Sequence, residues 1–316
     1  MSRADLLHKP VLGWYAENAR DLPWRSPDAS PWAVLVSEVM LQQTPVARVE
    51  PVWRRWLARW PDPAALAADA PGDAVRAWER LGYPRRAIRL HACAVAITEH
   101  HRGEVPHEES ALRSLPGVGA YTAAAVAAFA FGARTTVVDT NVRRVLARAI
   151  TGVALPAPSL TTAETDVAHR ALPADDRASV RWNVAVMELG ALTCTARAPR
   201  CQTCPINDRC AWQLAGSPAY TGPARRGQAW HGTDRQCRGA LLQRLRDHEG
   251  WLREGDFAEV WPHDDTQRAR CLSALVSEGL IASTRVTDRA AGTEDMQIAH
   301  PSSGLERAIW YGFDQA

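Results

Sequence analysis

The sequence predicts an all-α body followed by a small C-terminal winged-helix-like α/β domain. Three observations carry this. Residues 1–150 fall into helix-length patterns separated by proline and glycine, among them Pro31, Pro51, Pro63, Pro71, Gly82, Pro84, Pro116 and Gly117. Alternating runs of Val, Ile and Thr, which a large sheet would need, are few. After AGSPAYTGPARRGQ (215–228), a Gly/Pro/Ser/Arg-rich stretch that reads as a linker, the pattern changes.

In chain order, PVWRRWLARW (51–60) and RRAIRLHACAVAITEHH (85–101) have helical spacing, and a further helical block over 158–193 ends in WNVAVMELGAL. Beyond the linker, 238–248 and 264–278 read as amphipathic helices. GLIASTRV and DMQIAH read as two short strands joined by a wing, which makes 229–316 winged-helix-like.

Apolar content of 46% and charged content of 23% are ordinary for a soluble globular protein, so composition alone names no function. No run reaches the length of a membrane span and the N-terminus lacks an apolar signal stretch, so a cytoplasmic or nucleoid-associated protein is expected, with no membrane partner. Residues 1–228 hold 27 Lys+Arg against 21 Asp+Glu, whereas 229–316 hold 10 against 14. The first part can face a polyanion; the second is a poor candidate for one. Lys9 is the only lysine.

Four of the seven cysteines, Cys194, Cys201, Cys204 and Cys210, stand in a C-x6-C-x2-C-x5-C pattern. In a chain without an export signal, such clustering points to metal or cluster ligation rather than disulfides. Four thiolates can hold Zn²⁺ or a [4Fe–4S] cluster, and spacing alone leaves both open. Either would organise a loop carrying Arg197, Arg200 and Arg209.

Two carboxylates invite a chemical reading. Glu38 lies in VSEVMLQQT beside the helical stripe Trp32, Leu35, Val36, Val39 and Met40, where an ionised acid is costly. Its protonated form should be favoured. Asp139, in TTVVDTNVRRVLARAI, precedes a helix and reads as its N-cap, where amides and the helix dipole hold it ionised. Two carboxylates pushed in opposite directions suit a general acid and a cation stabiliser in glycosidic cleavage. A third feature is ESALRSLPGVGAYTAAAVAAFAFG, two helices joined by Pro116-Gly117-Val118-Gly119, whose following amides could cradle a phosphate. An ordinary helical hairpin would carry the same turn.

Taken together, LPGVGAYTA, VVDTNVRRVLAR, the cysteine loop, SEVMLQQT and LGYPRRAIRLH resemble the helix-hairpin-helix DNA glycosylases of the endonuclease III superfamily, and within it the A/G-specific adenine DNA glycosylases. The resemblance spans about residues 10–222. It implies a bilobed all-α fold, with 1–28 and 137–214 forming one lobe that ends in the iron–sulfur loop, and 29–136 a six-helix lobe. It implies a [4Fe–4S] cluster rather than zinc. It further implies a monomer acting on double-stranded DNA with an A:8-oxoguanine or A:G mismatch, with adenine flipped out. Glu38 would protonate N7 of that adenine and Asp139 would stabilise the sugar cation, with Tyr121 and Asn141 beside them. Gln43 and Tyr83 would wedge into the stack near 8-oxoguanine. Apart from the resemblance, His91 reads as a surface or packing group that, by its place after the LGY turn, could face DNA.

The chain departs from that pattern in two places. Pro84 stands where the family has a second tyrosine, and 229–316 lacks the strand-rich pattern of the family's Nudix-like domain. Two alternatives accompany this reading: a mismatch thymine glycosylase of the same superfamily, and a catalytically silent damage-binding scaffold. A Schiff-base lyase would need a lysine where Tyr121 stands.

Overall fold

Proline and short polar side chains start many of the helices. Ser30 accepts from the Ala33 amide and Pro31 occupies the first position of α2 (Pro31–Leu41), which follows α1 (Asp5–Asn18). Then come α3 (Val46–Arg59), α4 (Pro63–Ala68), α5 (Pro71–Ala77), α6 (Arg85–His100), α7 (Glu109–Ser114) and α8 (Ala120–Phe131). The body ends with α9 (Thr140–Leu146), α10 (Thr162–Arg170), α11 (Asp176–Leu192) and α12 (Ala211–Leu214). The computed structural model describes residues 3–222, 227, 229–287 and 307–313.

The C-terminal segment contains α13 (Asp234–Arg246), β1 (Leu252–Arg253), α14 (Asp265–Ser277), β2 (Ala282–Thr287) and β3 (Arg307–Gly312). The strands form an antiparallel sheet in the order β1-β3-β2. Two helices and a hairpin agree with the winged-helix-like expectation. The partner of β2 is RAIWYG, however, and DMQIAH lies outside the described residues.

By packing, the chain divides into two compact units: residues 1–42 with 99–225, and residues 43–98 with 226–316. The C-terminal segment thus shares a unit with α3–α6. The stretch 29–136 holds seven α-helices.

In unit 1, α1, α9 and α11 enclose a core that includes Leu7, Val11, Val145, Trp182 and Leu189. Residues Trp32 through Met40 of α2 are all buried, so this helix is enclosed around its circumference rather than along one stripe. In unit 2, Trp56, Trp60 and Trp78 are fully buried, with edge-on ring pairs at 4.5 and 5.5 Å.

Candidate active site

Helix α2 packs against α8 within unit 1 and brings Glu38 to Tyr121. The Tyr121 hydroxyl donates to Glu38 Oε2 at 2.9 Å. Glu38 is 6% exposed. Burial pushes its carboxyl up to about 7; the Asp139 charge adds to this, while the Tyr121 hydroxyl and the Arg25 charge oppose it. Tyr121, buried beside two carboxylates, stays protonated.

Asp139 caps α9 as the sequence predicts, accepting from the Val142 amide at 2.6 Å. Asn141 donates to its other oxygen at 2.8 Å, and Asn141 Oδ1 accepts from Arg144 at 2.7 Å. The expected opposite push on the two acids is corrected here. Burial raises Asp139 as well, against the pull of the Val142 and Asn141 hydrogen bonds and the Arg144 charge. The cap opposes burial without overcoming it.

Arg144 reaches further. Its guanidinium donates to Gly190 O at 2.7 Å and to Cys194 O at 2.6 Å, so one side chain ties Asn141 to the start of the cysteine loop. The approach of α11 to α9 requires glycine at 190, since a Cβ there would lie 2.6 Å from the Asn141 Cβ.

Sequence reasoning missed Glu188. It is fully buried, and Arg20 (2.7 Å) and Arg25 (2.9 Å) hold it. These partners overcome its burial and bring it down to about 2. Arg25 Nη1 is buried without a partner. No local signal marks this cluster, because its members are 163 and 168 residues apart.

In the hairpin, Gly117 has φ 76°, which glycine alone adopts without cost. Pro116, Gly117 and Gly119 are exposed, and Gly119 precedes α8 with no side-chain cap on the first amides. The Val118 side chain is buried, so only its main chain remains for a ligand.

The four cysteines line one cavity together with Arg148, Ile206 and Trp212. Among the described residues, no three His, Cys, Asp or Glu side chains close on a single ion position. Arg148 donates to Cys194 Sγ at 3.3 Å and Gln213 to Cys201 Sγ at 3.0 Å. Burial and neighbouring thiols push Cys204 up to about 11, so thiolates there need a bound cation. Soft donors around a shared space, with N–H groups aimed at sulfur, fit an iron–sulfur cluster better than a single ion. Arg197, Arg200 and Arg209 are exposed on this loop.

In unit 2, Gln43 and Tyr83 are exposed and both have left-handed backbones, with φ 57° and 49°. The buried Arg86 joins their turns, donating to Thr44 Oγ1 at 3.0 Å and to Gly82 O at 2.9 Å. Of the two readings of His91, packing group or group facing DNA, the structure gives the first: it is buried, and its ring bonds to Asp69 O at 2.7 Å. Cys93, Cys237 and Cys271 are buried free thiols.

Comparison with known proteins gives the class first. Residues 36–166 match the HhH-GPD superfamily of base excision DNA repair proteins, and residues 194–210 match the iron–sulfur binding domain of endonuclease III. An adenine DNA glycosylase of Mycobacterium tuberculosis is 51% identical over 275 residues, covering 87% of this chain and 90% of the relative. That stretch exceeds the 228 residues before the C-terminal segment, so it includes part of the segment. The structure of a thermostable thymine-DNA glycosylase superposes with TM-score 0.61 at 25% identity, over 67% of this chain and 97% of that one. An endonuclease III–DNA complex shares the fold, with TM-score 0.58 at 20% identity, over 68% of this chain and 98% of that one.

The chain belongs to the adenine DNA glycosylase family of the helix-hairpin-helix superfamily. It is a DNA-binding repair enzyme that hydrolyses N-glycosidic bonds, and its cofactor is a [4Fe–4S] cluster. Among the described residues, no helix is long and apolar enough to cross a membrane.

Proposed function

We propose that the enzyme, acting as a monomer in the cytoplasm and on the nucleoid, removes adenine opposite 8-oxoguanine or guanine. The observation that carries this reading is the buried Glu38, raised to about 7 and bonded to Tyr121, within electrostatic reach of Asp139. A carboxyl near 7 is protonated in a useful fraction at neutral pH, which a general acid requires. Glu38 donates its proton to N7 of the extruded adenine, and the N-glycosidic electron pair leaves with the base. The Asp139 carboxylate faces the sugar cation at C1′. Water then adds its hydroxyl to C1′, and its proton restores the Glu38 carboxyl.

Tyr121 orients Glu38, Asn141 orients Asp139, and the unpartnered Arg25 Nη1 offers a donor to the base. Main-chain amides after Pro116-Gly117-Val118-Gly119 take a phosphate. Gln43 and Tyr83 enter the stack on the 8-oxoguanine side. Cys194, Cys201, Cys204 and Cys210 hold the cluster, which organises the arginine-bearing loop.

The thymine-glycosylase reading draws on the structural similarity at TM-score 0.61. Duplexes with A:8-oxoG, A:G, T:G and thymine glycol separate the readings, with base release measured with and without alkali. Release of adenine from the first two is expected; release of thymine from T:G alone would replace this assignment, and release of nothing would leave only the silent scaffold.

A further inference from the structure

Unit 2 joins two stretches far apart in sequence, and they meet along the turn that presents Tyr83. Arg76, in the last turn of α5, donates to the carbonyls of Leu245 (3.3 Å), Arg246 (3.2 Å) and His248 (3.0 Å) at the end of α13. Arg246 returns the contact, donating to Val75 O at 3.2 Å. The guanidinium of each helix thus serves carbonyls at the end of the other. Arg80 adds a bond to Gln243 at 3.1 Å, and Arg76 lies over the Phe313 ring at 4.7 Å.

One further contact ends on the Tyr83 turn itself. Glu278, the C-cap residue of α14, accepts from Arg85 Nε at 2.7 Å and from Arg238 Nη1 at 2.8 Å, and also bonds Arg238 Nη2. Its side chain is 12% exposed. Arg85 is separated from Tyr83 only by Pro84. A non-glycine residue held at φ 49° is strained, and a following proline narrows its choices further. Such a residue persists only where its surroundings hold it. Arg86 secures the turn through the Gly82 carbonyl, and the Arg85–Glu278 pair secures it beyond Pro84.

We infer that Glu278 is a positioning residue for opposite-base discrimination. By fixing Arg85 it keeps Tyr83 in the geometry that enters the DNA stack, so the C-terminal segment tunes lesion recognition through protein contact rather than by binding DNA. The inference rests on the reading of Tyr83 as a wedge. The charges of the segment agree with it: Arg238 is paired with Glu278, Arg268 with Asp265 (2.7 Å) and Arg270 with Asp234 (2.8 Å).

The test uses the full-length, cluster-loaded enzyme with Glu278→Ala, Arg85→Ala and both together. Single-turnover adenine release is measured on A:8-oxoG and A:G duplexes. In parallel, the fluorescence of 2-aminopurine placed beside 8-oxoguanine reports unstacking on binding, which a general loss of stability would not change selectively. Each single variant should lower the A:8-oxoG to A:G rate ratio about tenfold (~1.4 kcal/mol) and shrink the fluorescence rise. The double variant should do no worse than either one. An unchanged ratio and fluorescence in Glu278→Ala overturns the inference, as does an equal slowing of both substrates. Failure of the wedge reading would look different: Tyr83→Ala would then leave the wild-type fluorescence rise intact.

Discussion

Unit 1 holds two buried glutamates whose surroundings differ. Around Glu188, two guanidiniums and a main-chain amide converge, and the acid sits near 2. Around Glu38, the bonded partner is a neutral hydroxyl and a second carboxylate lies nearby, and the acid sits near 7. Burial acts on both in the same direction. The difference teaches that partners, not depth, decide whether a buried acid anchors the fold or keeps a proton to give.

Breaking the Glu38 environment should have the largest effect. Glu38→Gln keeps the shape and loses the proton, so adenine release should fall by roughly 10²–10⁴-fold. A wild-type rate that fails to decline as pH rises through about 7 would count against the proton-donor role. The sign of the stability effect is opposite. Because the folded carboxyl is raised from 4.5 to about 7, its contribution is fully present below 4.5 and lost as pH rises through 7. The amide escapes that loss. Glu38→Gln should be the more stable protein at pH 8–9, by up to about 3 kcal/mol, measured by urea titration.

The second prediction concerns Glu188. Its depressed pKa supplies stability above 4.5 that is lost as pH falls towards 2, about 3 kcal/mol at neutral pH. Arg20→Ala should remove much of it and weaken the acid-side pH dependence of unfolding. Equal acid sensitivity in variant and wild type would show that Arg20 is not the partner that matters.

Cys204→Ser should yield protein with less iron and weaker DNA affinity, whereas wild type should absorb broadly near about 400 nm, where thiolate-bound iron–sulfur centres absorb. Metal analysis showing stoichiometric zinc without iron would reverse the cofactor assignment. The smallest signal is expected from borohydride trapping. With Tyr121 at the hairpin position and Lys9 the sole lysine, little covalent adduct should form. An efficient adduct surviving Lys9→Arg would contradict this.

Legibility in the sequence followed the range of the interactions. Asp139 as an N-cap depends on residues 139–142 and was readable; so was the apolar setting of Glu38, though not that every neighbour from Trp32 to Met40 is buried. The helices of the C-terminal segment were found within a few residues, because periodicity is local. Three features depend on distant partners and were not readable: the Arg20–Glu188–Arg25 cluster, the reach of Arg144 to Cys194, and the packing of 226–316 with 43–98. The upward shift of Asp139 was missed for a related reason: the cap is local, but the depth of the site comes from the tertiary core.

The division of unit 2 into two separated stretches also sets an order of events during synthesis. Helices α3–α6 leave the ribosome before the C-terminal segment, and the groups that hydrogen-bond to Arg76, Arg80 and Arg85 lie 163–193 residues later. At roughly 5–20 residues per second, that is a wait on the order of 10–40 s. During that interval the face of α5 and the Tyr83 turn have no docking partner, while residues 99–225 can close onto 1–42. The nascent chain therefore depends on residues 226–316 to finish a unit begun at residue 43, and termination before that segment leaves α5 exposed.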